Sequence, residues 1–352
     1  MTRALWACVG LFLATLCALA PASAQTRLFQ DESELQIVIE GPIGEIVRTA
    51  ARNTDARPAT VTLLGAGEPQ VFQIELSPRG FSRRSGGICT FPPLRLDFDK
   101  PALRGSLLQG QNRLKLVTRC RNGANYEQLT VLEYTAYRLY NVLTPYSFRV
   151  RPVRVTYRDS AGRRREETQF NFLIEDVDDV AARNRHVALE VLADEVRSSQ
   201  LSAEQSAIVG LYQYMIANLD WDMVSGHAGE ECCHNGKLLA RSETSRENVI
   251  PIPYDFDYSG FVNAPYAIPP EGLGVANVRT RYYRGLCRHN DQLPAAIELF
   301  RSRRDQLFAV IDGETRLTDA RRRSARQFLE AFFEVLDDPE RVQRQLVDRC
   351  RR

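Results

Sequence analysis

The sequence predicts an α+β protein in two lobes, sheet-rich first and helical second. Three observations carry this expectation. Over residues 28–175 the apolar residues fall in short alternating runs broken by turn formers. After Asp179 the apolar spacing lengthens to the three-to-four-residue period of helices. No internal repeat or low-complexity tract separates the two regimes, so strands and helices segregate along one chain. The expected division is 1–24 as a leader, 25–178 as the sheet-rich lobe and 179–352 as the helical lobe.

The leader reading rests on Arg3, the apolar stretch 4–20 and the small residues Ala22-Ser23-Ala24 before Gln25. It predicts an exported chain, periplasmic or extracellular, cleaved near Ala24. No later segment offers the roughly 20 apolar residues of a membrane helix, so no membrane span is expected.

Strands are expected at 35–39, 60–64, 71–76, 94–98, 114–117, 148–157 and 170–174, with Asp159-Ser160-Ala161-Gly162 turning the last two into a hairpin. One helix interrupts them, because Leu129, Leu132, Ala136, Leu139 and Leu143 recur at helical spacing before Thr144-Pro145. Beyond Asp179, 187–197 reads as helix. Ser202-Ala203-Glu204-Gln205 is a capping box opening the next one, with Ile208, Leu211, Met215 and Leu219 on its buried stripe. Strand-like runs follow at 237–240 and 249–252. Helices are expected at 294–311, 318–336 and 339–350, the last opened by Asp338-Pro339.

A formal net charge of +2 gives no charge-based case for nucleic acid or an anionic membrane as partner. The cations are nearly all arginine; Lys100, Lys115 and Lys237 are the only lysines. Six cysteines follow the leader, and an even count in an exported chain reads as disulfides. Cys89 is expected to pair with Cys120, and either Cys232 or Cys233 with Cys287. A zinc reading of Cys232, Cys233, His234, Cys287 and His289 stands beside it.

The chemistry-bearing residues lie mid-chain: Asn218-Leu219-Asp220-Trp221, then His234-Asn235-Gly236-Lys237, then Pro253-Tyr254-Asp255-Phe256-Asp257. An acid after a helix, an amide before a strand and an acid pair after a second strand is a layout suited to phosphoryl transfer. One carboxylate meets the attacking hydroxyl, while an amide and a carboxylate hold the cations that bridge phosphates.

On these residues the chain resembles the atypical kinase-fold proteins of the spore-coat CotH type, and more faintly the HipA-like kinases, over roughly 79–260. It also resembles a set of exported bacterial proteins carrying the 253–257 string. The resemblance implies a two-lobed atypical protein-kinase-like fold using ATP with Mg2+ or Mn2+ on a protein or small-molecule hydroxyl. It implies Asp220 facing that hydroxyl, Asn235 and Asp255 as metal ligands with Asp257 assisting, and Lys115 on the phosphates, paired with Glu133. Residues 172–175, ending in Glu175, would form the hinge meeting the nucleotide base, and the glycine- and arginine-bearing loop 79–87 would drape over the phosphates. The chain departs from the kinase pattern in the 15-residue separation of Asp220 and Asn235, and in Asp257 standing where a glycine would follow Asp255-Phe256. Two other functions compete with the enzyme: an envelope binding or scaffold protein using the same cleft, and a metal-dependent hydrolase built on the aspartates.

Overall fold

The computed structural model describes residues 27–65, 67–193, 195–226 and 231–352. The expected leader, 1–24, lies outside the described residues. No described helix is long and apolar enough to cross a membrane.

Seven strands close into a barrel: β1 (Leu35–Gly41), β2 (Arg57–Leu64), β3 (Gln70–Pro78), β4 (Leu94–Phe98), β5 (Arg113–Val117), β6 (Val150–Asp159) and β7 (Glu167–Ile174), ordered β1-β2-β3-β4-β5-β7-β6. This overturns the expected two-lobed kinase-like fold, whose sheet-rich lobe is open. The closing seam is β1, which pairs antiparallel with β2 on one side and parallel with β6 on the other, from Leu35↔Val153 to Gly41↔Asp159. Two details hold the seam. Gly41 lies so near β2 that an added Cβ would stand 2.7 Å from that of Ala59. Asp159, at the end of β6, accepts the Gly44 amide at 2.9 Å at the start of the short helix α1 (Ile43–Thr49). Closure leaves the barrel without an edge strand.

Period-two alternation divides β5, β6 and β7 between two cores. Leu114 and Leu116 of β5 and Leu173 of β7 point inward with Ile39, Leu76, Leu96, Val153 and Val155. Val117, Phe170, Phe172 and Ile174 point outward, into a second, larger core. Across that outer face lies α2 (Ala124–Leu143), buried on most of its circumference. Its aromatic rings meet both neighbours: Tyr137 packs on Phe172 at 5.6 Å and on Phe256 at 4.7 Å between ring centroids.

The remaining elements are α3 (Val177–Arg183), β8 (Val187–Ala188), α4 (Ala203–Met215), β9 (Gly236–Ala240), β10 (Ile250–Pro253), α5 (Leu293–Ser302), α6 (Arg304–Asp312), α7 (Asp319–Leu336) and α8 (Pro339–Gln345). Ser202 caps α4 by accepting the Gln205 amide, and Asp338 caps α8. The helix expected over 187–197 does not form among its described residues: Val187–Ala188 form β8, which pairs with β9 through Val187↔Ala240 and Ala188↔Leu239, where strand pairing outweighs the local helical spacing. The helix expected over 294–311 is divided at Arg303 into α5 and α6, and α8 ends at Gln345, short of Cys350.

Three disulfides form. Cys89–Cys120 is the expected one. The expected partner for Cys287 is overturned: Cys232 and Cys233 bond to each other, and Cys287 bonds to Cys350. The adjacent pair is thereby satisfied internally, and the zinc reading loses its thiolates.

Candidate functional site

A cleft of about 440 Å3 lies where the outer face of β5 and β7 meets the β9–β10 hairpin. The hairpin itself sets the positions of the acid and the amide. Pro253 pairs with Gly236, and the Tyr254 amide donates to the Asn235 carbonyl at 3.0 Å. Asn235 and Asp255 therefore flank the same end of the two strands, each with a positive φ (50° and 64°) that turns the chain sharply out of the ladder. Asp220, Asn235, Asp255 and Asp257, all singled out in the sequence, line this cleft.

Asp220 is held from both sides. His234 Nε2 lies 2.5 Å from its Oδ1. Asn235 Nδ2 donates to its Oδ2 at 2.9 Å and to its backbone carbonyl at 2.8 Å. The hydrogen bond to Asp220 raises the His234 pKa above its ordinary value against the opposing effect of burial. The sequence offers His234 beside Asn235 in the site constellation and as a ligand in the alternative zinc reading, without this role; its position immediately before Asn235 is the signal.

Lys115 projects from β5 on the outward face, partly buried, with Nζ 4.8 Å from the centre of the Tyr254 ring and 5.9 Å from that of Phe148. Burial, then the charges of Arg79 and Lys237, lower its pKa to about 7; Asp176 and Asp255 act in the opposite direction. Glu133 does not pair with Lys115. Its carboxylate accepts from Arg83 Nη1 at 3.2 Å, deep beneath the loop 79–87. The same guanidinium approaches Asp257 at 3.7 Å and donates to the Thr118 carbonyl at 2.7 Å. Asp257 also accepts from Tyr266 at 2.9 Å.

This places three charged side chains in one buried cluster. Burial foremost, with Asp255 adding to it, pushes the Asp257 carboxyl far above its ordinary range, against Arg83. Glu133 is likewise pushed up by burial, which outweighs the opposing Arg83. Asp257 is thus engaged in a buried ion-pair cluster at the edge of the cleft. Arg83 was missed as a buried counter-ion because its loop reads as exposed and polar.

Glu175, expected at the end of the hinge, does not line the cleft with its side chain. Its side chain is fully buried, accepts from Arg183 Nε at 3.0 Å and from the Arg149 amide at 3.0 Å, and its own amide donates to the Arg149 carbonyl. It anchors α3 to the barrel.

Among the described residues no three His, Cys, Asp or Glu side chains converge as a metal cluster. A dedicated protein cage is therefore absent there. A magnesium-type ion has different needs: it keeps several waters and takes one or two protein oxygens plus phosphate oxygens from its substrate. Asp255 and Asn235, whose Nδ2 is engaged by Asp220 and whose Oδ1 is an oxygen donor, both line the cleft and are the residues that could serve such an ion. Around them the walls carry opposite charge, with Arg79 and Arg83 on the barrel side and Asp220 and Asp255 on the hairpin side. Tyr254 and Tyr258 add aromatic surface, and Phe81, 86% exposed, stands at the mouth.

No protein-family model matches the chain, and no curated protein matches it either.

Proposed function

We propose that this is an exported phosphotransferase whose cleft takes a nucleotide polyphosphate with Mg2+ or Mn2+ and passes the terminal phosphoryl group to a protein or small-molecule hydroxyl. The observation supporting it is the opposition of charge within one cleft: Arg79 on one wall against Asp220 and Asp255 on the other, with the neutral Asn235 amide beside them and Lys115 outside the lining. Cations on one wall suit phosphate oxygens, and an amide–carboxylate pair on the other suits a hard cation bridging them.

The residues take separate roles. Asp220 receives the proton of the attacking hydroxyl as its oxygen bonds to phosphorus and the bond to the departing diphosphate breaks. His234 and Asn235 fix the direction of that carboxylate. Asp255 and Asn235 would hold the cation, which neutralises phosphate charge when bound. Lys115 presents a compact charge to the phosphates. Three disulfides accord with an oxidising compartment.

A second reading has its own observation. Both carboxylate oxygens of Asp220 already carry donors, His234 on one and Asn235 on the other, which suits a binding or scaffold protein of the envelope that holds a ligand without turning it over. The deciding experiment is nucleotide binding to the mature, oxidised protein by calorimetry with Mg2+ or Mn2+, followed by phosphoryl transfer from labelled ATP. Binding that requires the cation, together with transfer, supports the enzyme. Binding without transfer to any acceptor, including the chain itself, supports the scaffold. Failure to bind with either cation defeats the nucleotide reading.

A further inference from the structure

Asp220 sits on a stretch, 218–222, that belongs to no helix or strand. Its backbone carbonyls need donors from elsewhere, and one arginine supplies two of them. Arg284 Nη1 donates to the Leu219 carbonyl and, at 3.0 Å, to the Trp221 carbonyl, the carbonyls of the residues on either side of Asp220. Its guanidinium also lies over the Trp221 ring at 5.7 Å.

A second arginine takes the next residue. Arg351 pairs through Nη1 and Nη2 with the Asp222 carboxylate. Asp222 in turn accepts the Val224 and Ser225 amides at 2.9 Å each, and its own amide donates to the His234 carbonyl at 2.9 Å. Asp222 thereby ties the Asp220 stretch to the backbone of the histidine that orients Asp220.

The two arginines come from distant parts of the chain and are joined at their base. The Arg351 amide donates to the Gly285 carbonyl at 2.7 Å, and the Cys287 amide to the Arg351 carbonyl at 2.9 Å. The Cys287–Cys350 disulfide closes this junction. The segment carrying Arg284 lacks regular secondary structure; the disulfide, these two hydrogen bonds and the Asp222 carboxylate, which Arg284 also approaches at 3.9 Å, tie it to Arg351.

We infer that Arg284 and Arg351, joined through Cys287–Cys350, form a clamp that positions Asp220 from outside the cleft. Neither arginine lines the cleft, so both are positioning residues. The inference rests on the reading of Asp220 as the proton acceptor, yet its geometric content is testable apart from any reaction. Fixing a reacting carboxylate demands tighter placement than folding does, since a displacement of about 1 Å lowers rate on the order of a hundredfold.

The test compares Arg284→Ala, Arg284→Lys, Arg351→Gln and the Cys287→Ser/Cys350→Ser pair with the wild type. Amide hydrogen exchange is read across 218–225 and across the barrel strands, alongside ATP affinity and transfer rate. For the arginine variants the expected result is exchange raised at least about tenfold in 218–225 and unchanged in the barrel; for the serine pair, which also loses loop closure, the rise in 218–225 should exceed that in the barrel. Transfer should be lowered about a hundredfold with affinity within about twofold, and Arg284→Lys should recover part of both losses. Unchanged exchange at 218–225 in Arg284→Lys, Arg351→Gln and the serine pair would overturn the clamp. So would a rise in the arginine variants spread equally over the barrel, which marks a purely structural role. If the wild type shows no transfer, the phosphotransferase reading fails on its own and the exchange result still decides the clamp.

Discussion

Asn235 holds Asp220 at two points, donating from Nδ2 to the backbone carbonyl at 2.8 Å and to the carboxylate at 2.9 Å. One amide thus locks the rotamer and the main chain of the residue proposed as base, and its Oδ1 lies outside that pairing. A proton acceptor and a prospective cation ligand are joined in a single side chain, and this coupling frames the first prediction.

Asp220 and Asp255 should separate binding from turnover. Asp220→Asn keeps the shape and the contact with Asn235 but removes the proton acceptor. It should retain nucleotide affinity within about threefold and lose transfer by at least about a hundredfold. Asp255→Asn should lose both. Calorimetry and a labelled-phosphate assay on the two variants check this; equal losses of affinity in both would remove the division of roles.

Lys115 should make stability depend on pH in a defined direction. Burial lowers its pKa to about 7 in the folded chain, below the ordinary lysine value of about 10.4. A lowered pKa means that its contribution is present at high pH and is lost as pH falls through about 7. Lys115→Met, which keeps the stem against Tyr254 and Phe148, should therefore gain stability over wild type as pH is lowered from about 10 towards 7. It should also weaken nucleotide binding. Denaturant titrations at several pH values supply the check, and a difference independent of pH would contradict it.

Arg83 should be costly to remove and partly rescuable. Arg83→Met leaves Glu133 and Asp257 buried without their counter-ion, a loss on the order of 3–5 kcal/mol. Adding Glu133→Gln removes one of the stranded charges and should restore part of that loss, a coupling measurable by a double-mutant cycle. The sign for Glu133 alone is opposite to that for Lys115. Its raised pKa means stability present at acid pH that is lost as pH rises through the raised value, so Glu133→Gln should flatten that decline.

The disulfides should differ in what they contribute. Cys287–Cys350 spans 63 residues and Cys89–Cys120 spans 31, so loop closure stabilises by about 4 kcal/mol for each. Cys232–Cys233 joins neighbours and constrains almost no loop. Replacing Cys232 and Cys233 together by serine should leave the melting temperature near wild type, whereas Cys287→Ser/Cys350→Ser should lower it clearly. Peptide mapping without reductant should recover Cys287 linked to Cys350; a link from Cys287 to Cys232 or Cys233 would refute the pairing.

What the sequence determined by itself was local. Each of the seven barrel strands was legible as a short apolar run, α2 as a repeat from Leu129 to Leu143, and α4 from the Ser202 cap, because periodicity and capping are properties of neighbouring residues. The β9–β10 hairpin was legible too, and with it the gathering of Asp220, Asn235 and Asp255 on one cleft. Tertiary structure decided the rest. Whether β1 stays an open edge or closes on β6 depends on residues such as Gly44 and Asp159, 115 positions apart, and nothing in either run encodes its partner. The partners of charge were decided the same way. Glu133 meets Arg83 and not Lys115, Asp222 meets Arg351, and Cys287 meets Cys350. A side chain's sequence shows what it is able to bind, but its partner is chosen by the three-dimensional path that brings one candidate within reach and buries both away from water.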